Sequence, residues 1–513
     1  MSMVRSLKQK KFFFLQILLF LIAFFLFWQR GEGFLDPDFG WHYKMGELIL
    51  KSGVPKTDPF SYTMPSFPFV GHEWLVDIIT YKLYGLAGNR LLAILYSLLA
   101  TLSLSISSGF FKKDNHLKIP KFSFFILAVG AILPFSGVRP QVLSWLFLAL
   151  WLKIILSDAV LGKFWFFLPV FILAWANLHA SFSVGILCLG TVFGINFLKT
   201  KKLVWKEVLC FFLCLVATFI NPYGPRLWEE VWRSVSDSAL RWRIAEWNPS
   251  LFVPILPYLF LLSFAFLIYC FYRELSWGKI ALYLFFLIQS LLGLRYIPLF
   301  VVVSFPIYLE ALGYLYEKVC RIEYGKQRWQ KMEIFLVLSC FLVTGAQAFF
   351  AIKEISSFSE RVFYPSAAIA YLKQNLPRGN LLSQYNWGGY LIWKLPEKKV
   401  FIDGRMPSWR WKANLPNESK CAMEDYLKMQ ESEDEFKKQL VKYNISTVLW
   451  LNEKKESGIK SVIENLFLKM FKKKENFSLV DFLKKEEWRV VYQDSVAVIY
   501  TSRIGSTPEF VIK

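Results

Sequence analysis

Apolar residues fall in long blocks along this 513-residue chain, and polar residues gather in short intervals between them. A bilayer core takes ~20 mostly apolar residues to cross. Taken against their polar flanks, the blocks predict about eleven spans, at 12–30, 89–111, 122–138, 141–157, 164–180, 183–198, 205–221, 251–271, 279–296, 298–316 and 333–351. The first follows a basic tip (Arg5, Lys8, Lys10, Lys11) and ends in "FLFWQR" with no small-residue cleavage site, so it reads as an uncleaved span and not as a signal peptide. A polar loop, 31–88, separates it from the second span. Within that loop "EWLVDIITYKLY" has amphipathic spacing and is expected along the membrane surface.

The pattern changes after residue 351. "AAIAYLKQNL" and "ESEDEFKKQLVKYN" have helical spacing, whereas "KVFIDGR", "STVLWL", "WRVVYQD" and "VAVIYT" are short β-rich runs. "NWGGYLIW" carries a Gly-Gly pair that signals a tight turn or a close backbone approach. The fold expected is a polytopic α-helical membrane domain over 1–351, with first outer loop 31–88, followed by an α/β domain over 352–513.

Composition fixes the class. The chain is 55% hydrophobic and 18% aromatic, too apolar for a soluble protein of this length. Its formal charge of +21 would suggest nucleic acid in a soluble chain. Here the basic residues concentrate in "KKDNHLKIPK", "DAVLGK", "KTKKLVWK", "YRELSWGK" and "EKVCRIEYGKQRWQKM", where the positive-inside rule puts them. No nucleic-acid partner is implied. The N-terminus is expected in the cytoplasm, and an odd number of spans puts the C-terminal domain on the outer side. Five of the seven cysteines lie inside apolar runs and Cys421 stands alone in the tail, so no disulfide, zinc site or redox pair is indicated.

This topology gathers chemistry on one face. Asp36, Asp38, His42, His72, Glu73, Arg139, His179, Arg226, Glu246 and Arg295 come from loops far apart in sequence, yet all fall on the outer side, together with Gln141, Asn177 and Asn221. Arginines suit an anionic phosphate because their forked donors match its oxygens. A carboxylate suits proton removal from a hydroxyl. Each residue also has a structural alternative: arginines anchor at headgroups, "DPD" can cap a helix, and the Asp403–Arg405 pair of "FIDGR" suits a strand-end turn with an ion pair.

The strings "DPDFGWHYKMGELILKSGVPKTDPFSYT", "GHEWL", "RPQ", "WANLHASF", "NPYG", "EWNP" and "NWGGYLIW…KVFIDGR" resemble a bacterial branch of the GT-C superfamily of membrane glycosyltransferases. The resemblance implies transfer of a sugar from a polyprenyl-phosphate donor to a glycan, lipid or protein acceptor outside the inner membrane, usually with inversion. By position, Asp36 and Asp38 take the catalytic acid's place, although here the pair is D-P-D and not two adjacent acids. Arg139, Arg226 and Arg295 take the phosphate-binding role by position, with His42, His72, Glu73, His179 and Glu246 as further substrate contacts. Some members use a divalent metal, magnesium or manganese, for which Asp36, Asp38 and Glu246 could supply oxygen ligands. The competing classes are a polyprenyl-lipid flippase or transporter and a non-catalytic assembly protein. Transporters tend to keep charged groups at mid-membrane, and the predicted spans are nearly free of acids there.

Overall fold

In a computed structural model of the chain, the described residues are 2–111, 117–157, 165–237, 244–250, 255–357, 359–452 and 477–502. Of the expected basic loops, 158–163 and the part of 112–121 that precedes residue 117 lie outside them. The chain divides into two compact units, one made of Met1–Asp36 and His72–Ser357, the other of Pro37–Gly71 and Phe358–Lys513.

The first unit is helical. Among the described residues, six helices have the length and apolar composition to cross a membrane: Phe12–Gly33, Trp74–Ser107, Lys118–Phe135, Phe182–Thr200, Leu294–Cys320 and Gly325–Ile355. Gln141–Ile155, Phe167–Leu178, Leu256–Phe271 and Trp277–Leu292 are apolar but shorter. At 1.5 Å per residue these shorter helices rise only about 18–24 Å, less than the ~30 Å hydrocarbon core. The 205–221 run forms a helix over Trp205–Ala217. The protein is thus a multi-pass membrane protein; six of the described helices reach full spanning length, and the shorter apolar helices fall on further blocks of the eleven that spacing predicts.

Lys118–Ile132 is the centre of this unit. Every side chain from Pro120 to Ile132 is buried, as a helix apolar all round requires. Phe124 sits there against Phe264, Phe305 and Tyr308. The amphipathic segment of the first loop is helical too, and Trp74–Ser107 bends where Ala87 and Gly88 leave helical geometry. Gly88 has φ +63°, which glycine adopts without steric cost. The bend separates the surface-type segment from the span beginning near residue 89.

The second unit carries a four-stranded sheet of order β1-β2-β4-β3, with β1 Asn380–Ser383, β2 Ile445–Leu451, β3 Arg489–Gln493 and β4 Ala497–Thr501. β1 and β2 are parallel, while β4 is antiparallel to both β2 and β3. Ser366–Gln374 and Glu433–Lys442 form the two helices expected from spacing. The second starts where Ser432 Oγ accepts from the Glu435 N–H at 3.3 Å.

Two expectations change here. "KVFIDGR" is not a strand of this sheet, for its backbone pairs with the first loop: the Val400 N–H donates to the Phe60 carbonyl at 3.0 Å and the Tyr62 N–H to the Val400 carbonyl at 3.1 Å. The division at 351/352 changes for the same reason. Residues 37–71 leave the loop 31–88 and join the C-terminal unit, where Phe67 stacks on Trp409 with ring centroids 4.1 Å apart. "GGYLIWK" is a short helix, Gly388–Lys394, against the helix Phe39–Ser52. The close approach predicted from its glycines is present: a Cβ on Gly389 would collide with the Pro37 carbonyl, and one on Gly40 with the Gly389 carbonyl.

Candidate functional site

The candidate site is assembled from helix ends of the first unit. Arg139 lies on the short turn "GVRP" between the Lys118–Phe135 span and the helix Gln141–Ile155. Its side chain is largely buried, 16% exposed, and faces two carboxylates. Nε donates to Asp36, and Nη1 lies 2.6 Å from Glu246. Burial alone would lower the guanidinium's pKa, but Asp36 and Glu246 outweigh it and raise it. The same pairing holds the Glu246 pKa below the ordinary carboxylate range: Arg139 is the main cause, burial opposes it, and Arg295 adds to it.

Two more arginines belong to this end. Arg295 lies with its guanidinium 4.3 Å from the centre of the Trp247 ring, next to Glu246 in sequence. Arg30, in the last turn of the first helix, is 3% exposed. It donates to the carbonyls of Pro134 at 2.8 Å and Ser136 at 3.3 Å, reaches Glu354 at 3.4 Å, and covers the Phe34 ring at 4.5 Å. Arg139 meets the same ring at 5.9 Å. Spans ending at Gly33 and Ile355, and one beginning at Leu294, therefore bring three arginines and the acids Asp36, Glu246 and Glu354 to one end of the unit.

A second cluster in this unit is built on Glu73. His179 Nε2 lies 3.0 Å, and His72 Nε2 3.7 Å, from the same Glu73 oxygen. Nδ1 of His179 accepts the Ser181 backbone N–H at 3.1 Å and lies 2.8 Å from Ser144 Oγ and 2.9 Å from Ser181 Oγ. Because the backbone N–H can only donate, the network assigns the neutral imidazole its proton on Nε2, facing Glu73. Both ring nitrogens are thus engaged by the protein, and His179 orients Glu73. Glu73 occupies the N-cap position of its helix without making a side-chain capping bond. Glu230 sits near His72; burial raises its pKa against the pull of Arg233 and His72.

No protein-family model matches the sequence, and no curated protein sequence matches it. Solved structures follow a similar course. Among them is the crystal structure of ArnT from Cupriavidus metallidurans bound to undecaprenyl phosphate, 12% identical, with 94% of this chain and 97% of that chain covered and a TM-score of 0.46.

Of the residues singled out in the sequence, Asp36, Arg139, Glu246 and Arg295 come together, and His72, Glu73 and His179 form a second set in the same unit. Arg226 stands apart, exposed in the first turn of the amphipathic helix Arg226–Ser236 and without an ion pair among the described residues. Asn177 is structural: its amide donates to the Leu173 and Ile220 carbonyls and accepts from Trp74 Nε1 at 3.1 Å. Asp38 and His42 belong to the second unit, where Asp38 precedes the helix Phe39–Ser52 without making a capping bond and packs against Gly404. His42 is buried beside the Trp41 ring.

The "FIDGR" arginine has the structural role that its turn suggests. Arg405 is 3% exposed, takes both oxygens of Asp403 through Nε and Nη2 at 2.7 Å, and lies 2.9 Å from Asp58 through Nη1. Among the described residues no group of three or more His, Cys, Asp or Glu side chains is placed to hold a metal. Asp36 and Glu246, two of the carboxylates considered for magnesium or manganese, already face one cation, Arg139. Sequence reading did not single out Arg30, Ser144, Ser181 or Glu230; only Arg30 left a signal, as a lone charge closing an apolar run.

Proposed function

We propose that this chain is a GT-C-type membrane glycosyltransferase that moves a sugar from a polyprenyl-phosphate donor to an acceptor on the outer side of the inner membrane. The observation that carries the reading is the Arg139 cluster: a largely buried guanidinium at the end of apolar helices, held by Asp36 and Glu246 and joined at that end by Arg295 and Arg30. A lipid-anchored phosphate arriving along the spans would meet it at this depth. Arg139, flanked by Arg295, holds the donor phosphate and stabilises its charge most as the sugar leaves.

Asp36 is the candidate base. It shares the cluster with Arg139, is 6% exposed, and takes the proton of the acceptor hydroxyl as that oxygen attacks the sugar's anomeric carbon. Displacement from the face opposite the phosphate inverts the anomeric centre through an oxocarbenium-like state. Asp38 is the alternative acid. Glu73, oriented by His179, offers an acceptor for the sugar's hydroxyls. The N-terminus lies in the cytoplasm and the C-terminal unit outside, a placement supported by the lysines and arginines of the loops at the opposite helix ends.

Equilibrium binding of a polyprenyl phosphate to purified protein in lipid nanodiscs tests the donor site. Wild type should bind in the micromolar range or tighter, and Arg139→Gln should weaken binding at least tenfold, in line with ~1.5–3 kcal/mol for a charge-assisted hydrogen bond. Equal binding by both would remove Arg139 from the donor site. Binding with no sugar turnover over a broad donor panel would favour a lipid flippase.

A further inference from the structure

The opposite end of the same helices holds a different cavity. It has a volume of ≈ 390 Å³ and is lined by Phe12, Lys118, Tyr316, Lys326, Trp329 and Glu333 among others.

 Four span ends meet around it: Phe12, Lys118 and Gly325 begin spans and Cys320 ends one. The cavity therefore sits at a single membrane surface, the one at which the chain's basic loops gather.

Its lining has the composition of a headgroup site. Lys118 and Lys326 form no ion pair among the described residues; Lys118 lies 4.6 Å from the centre of the Phe12 ring, and Lys326 is exposed. The acid in the lining, Glu333, already accepts the Trp329 indole N–H at 2.8 Å. Trp329 is 3% exposed and meets the Tyr316 ring edge-on at 5.0 Å, so the aromatic wall is fixed. The balance is two unpaired cations against one engaged carboxylate. Directly towards mid-membrane, the first and last spans present uncovered apolar side chains: Phe13, Phe14 and Leu21 on one, Phe335, Leu338 and Leu342 on the other, each at least 53% exposed. A ligand with a phosphate head and acyl chains matches both features. Its head lies between the lysines at the depth where aromatic belts occur, and its chains run along those two faces.

We propose that this cavity is a binding site for an anionic phospholipid headgroup, separate from the Arg139 cluster and independent of the glycosyltransferase reading. Native mass spectrometry of the full chain tests it, using detergent-solubilised protein titrated with phosphatidylglycerol or phosphatidylcholine. One phosphatidylglycerol should remain bound where phosphatidylcholine is lost. Lys118→Gln with Lys326→Gln should weaken that binding about twenty-five-fold, at about fivefold for each lysine near a charged lipid surface. Lys199→Gln with Lys202→Gln, on another basic stretch, should leave it unchanged and shows that any loss is local. Soluble glycerol phosphate should fail to displace the lipid at equal concentration, because it lacks the chains. Equal retention of the two lipids, an unaffected Lys118/Lys326 variant, or displacement by glycerol phosphate would each overturn the proposal.

Discussion

Replacing Arg405 with methionine removes the one cation between two carboxylates that are themselves fully buried, Asp58 and Asp403. The guanidinium is 3% exposed and is ringed by Phe60, Phe69 and Trp409 at 5.0, 5.4 and 5.3 Å from their centroids. Methionine keeps much of that aromatic packing, so the cost is electrostatic. Removing one partner of a buried pair costs about 3–5 kcal/mol, and with two carboxylates left behind the upper half of that range is expected. Arg405→Lys keeps the charge but loses the fork that takes both Asp403 oxygens, and should cost about 1–3 kcal/mol. Asp58→Asn leaves the bidentate Asp403 pair intact and should cost least of the three. Pulse proteolysis across a urea series, reading cleavage within the second unit, gives each value. A loss below about 1 kcal/mol for Arg405→Met would refute the claim that this ion pair ties residues 37–71 to the "FIDGR" turn.

Three further outcomes follow from the geometry. Gly389→Ala should destabilise the second unit by about 1–3 kcal/mol in the same proteolysis assay, reversing alanine's usual helical advantage, because the new Cβ meets the Pro37 carbonyl; a gain in stability would contradict it. Burial opposes ionisation of Asp425, but Tyr443, Ser419 and Lys442 overcome it and leave its pKa below the ordinary value. A depressed folded pKa gives stability that is present above the unfolded pKa and is lost as pH falls through the folded one. The stability gap between wild type and Asp425→Asn should therefore narrow from pH 6 towards pH 3, and a gap that widens would contradict the sign. On the proposed reading, Glu73→Gln should lower kcat about 10- to 100-fold in steady-state sugar transfer without loss of fold, since His179 then lacks the carboxylate it orients.

Sequence periodicity revealed the membrane class, the helices Ser366–Gln374 and Glu433–Lys442 of the C-terminal unit and three of its four strands. It was less informative about span count, because apolar blocks such as 141–157 and 279–296 form helices of 15 and 16 residues, and composition alone does not show how long a buried helix is. "KVFIDGR" has strand composition, but Val400 pairs with Phe60 and Tyr62 more than three hundred positions earlier, a partnership no local pattern contains. The same long-range pairing moved residues 37–71 into the second unit. For the site, loop-end charges pointed to Asp36, Arg139, Glu246 and Arg295, whose isolation among apolar blocks made them visible. Ser144 and Ser181 escaped notice because hydroxyls are common at helix starts, and only the His179 ring nitrogen distinguishes them.

The central claim is sugar transfer at the Arg139 cluster with Asp36 as base. Purified protein in lipid, supplied with a panel of radiolabelled polyprenyl-phosphate sugars, tests it most directly when wild type is compared with Asp36→Asn and Asp38→Asn. Consumption of one donor by wild type, lost in folded Asp36→Asn and retained in Asp38→Asn, is the predicted result. Full turnover by Asp36→Asn, or no donor consumed by wild type across the panel, would contradict it.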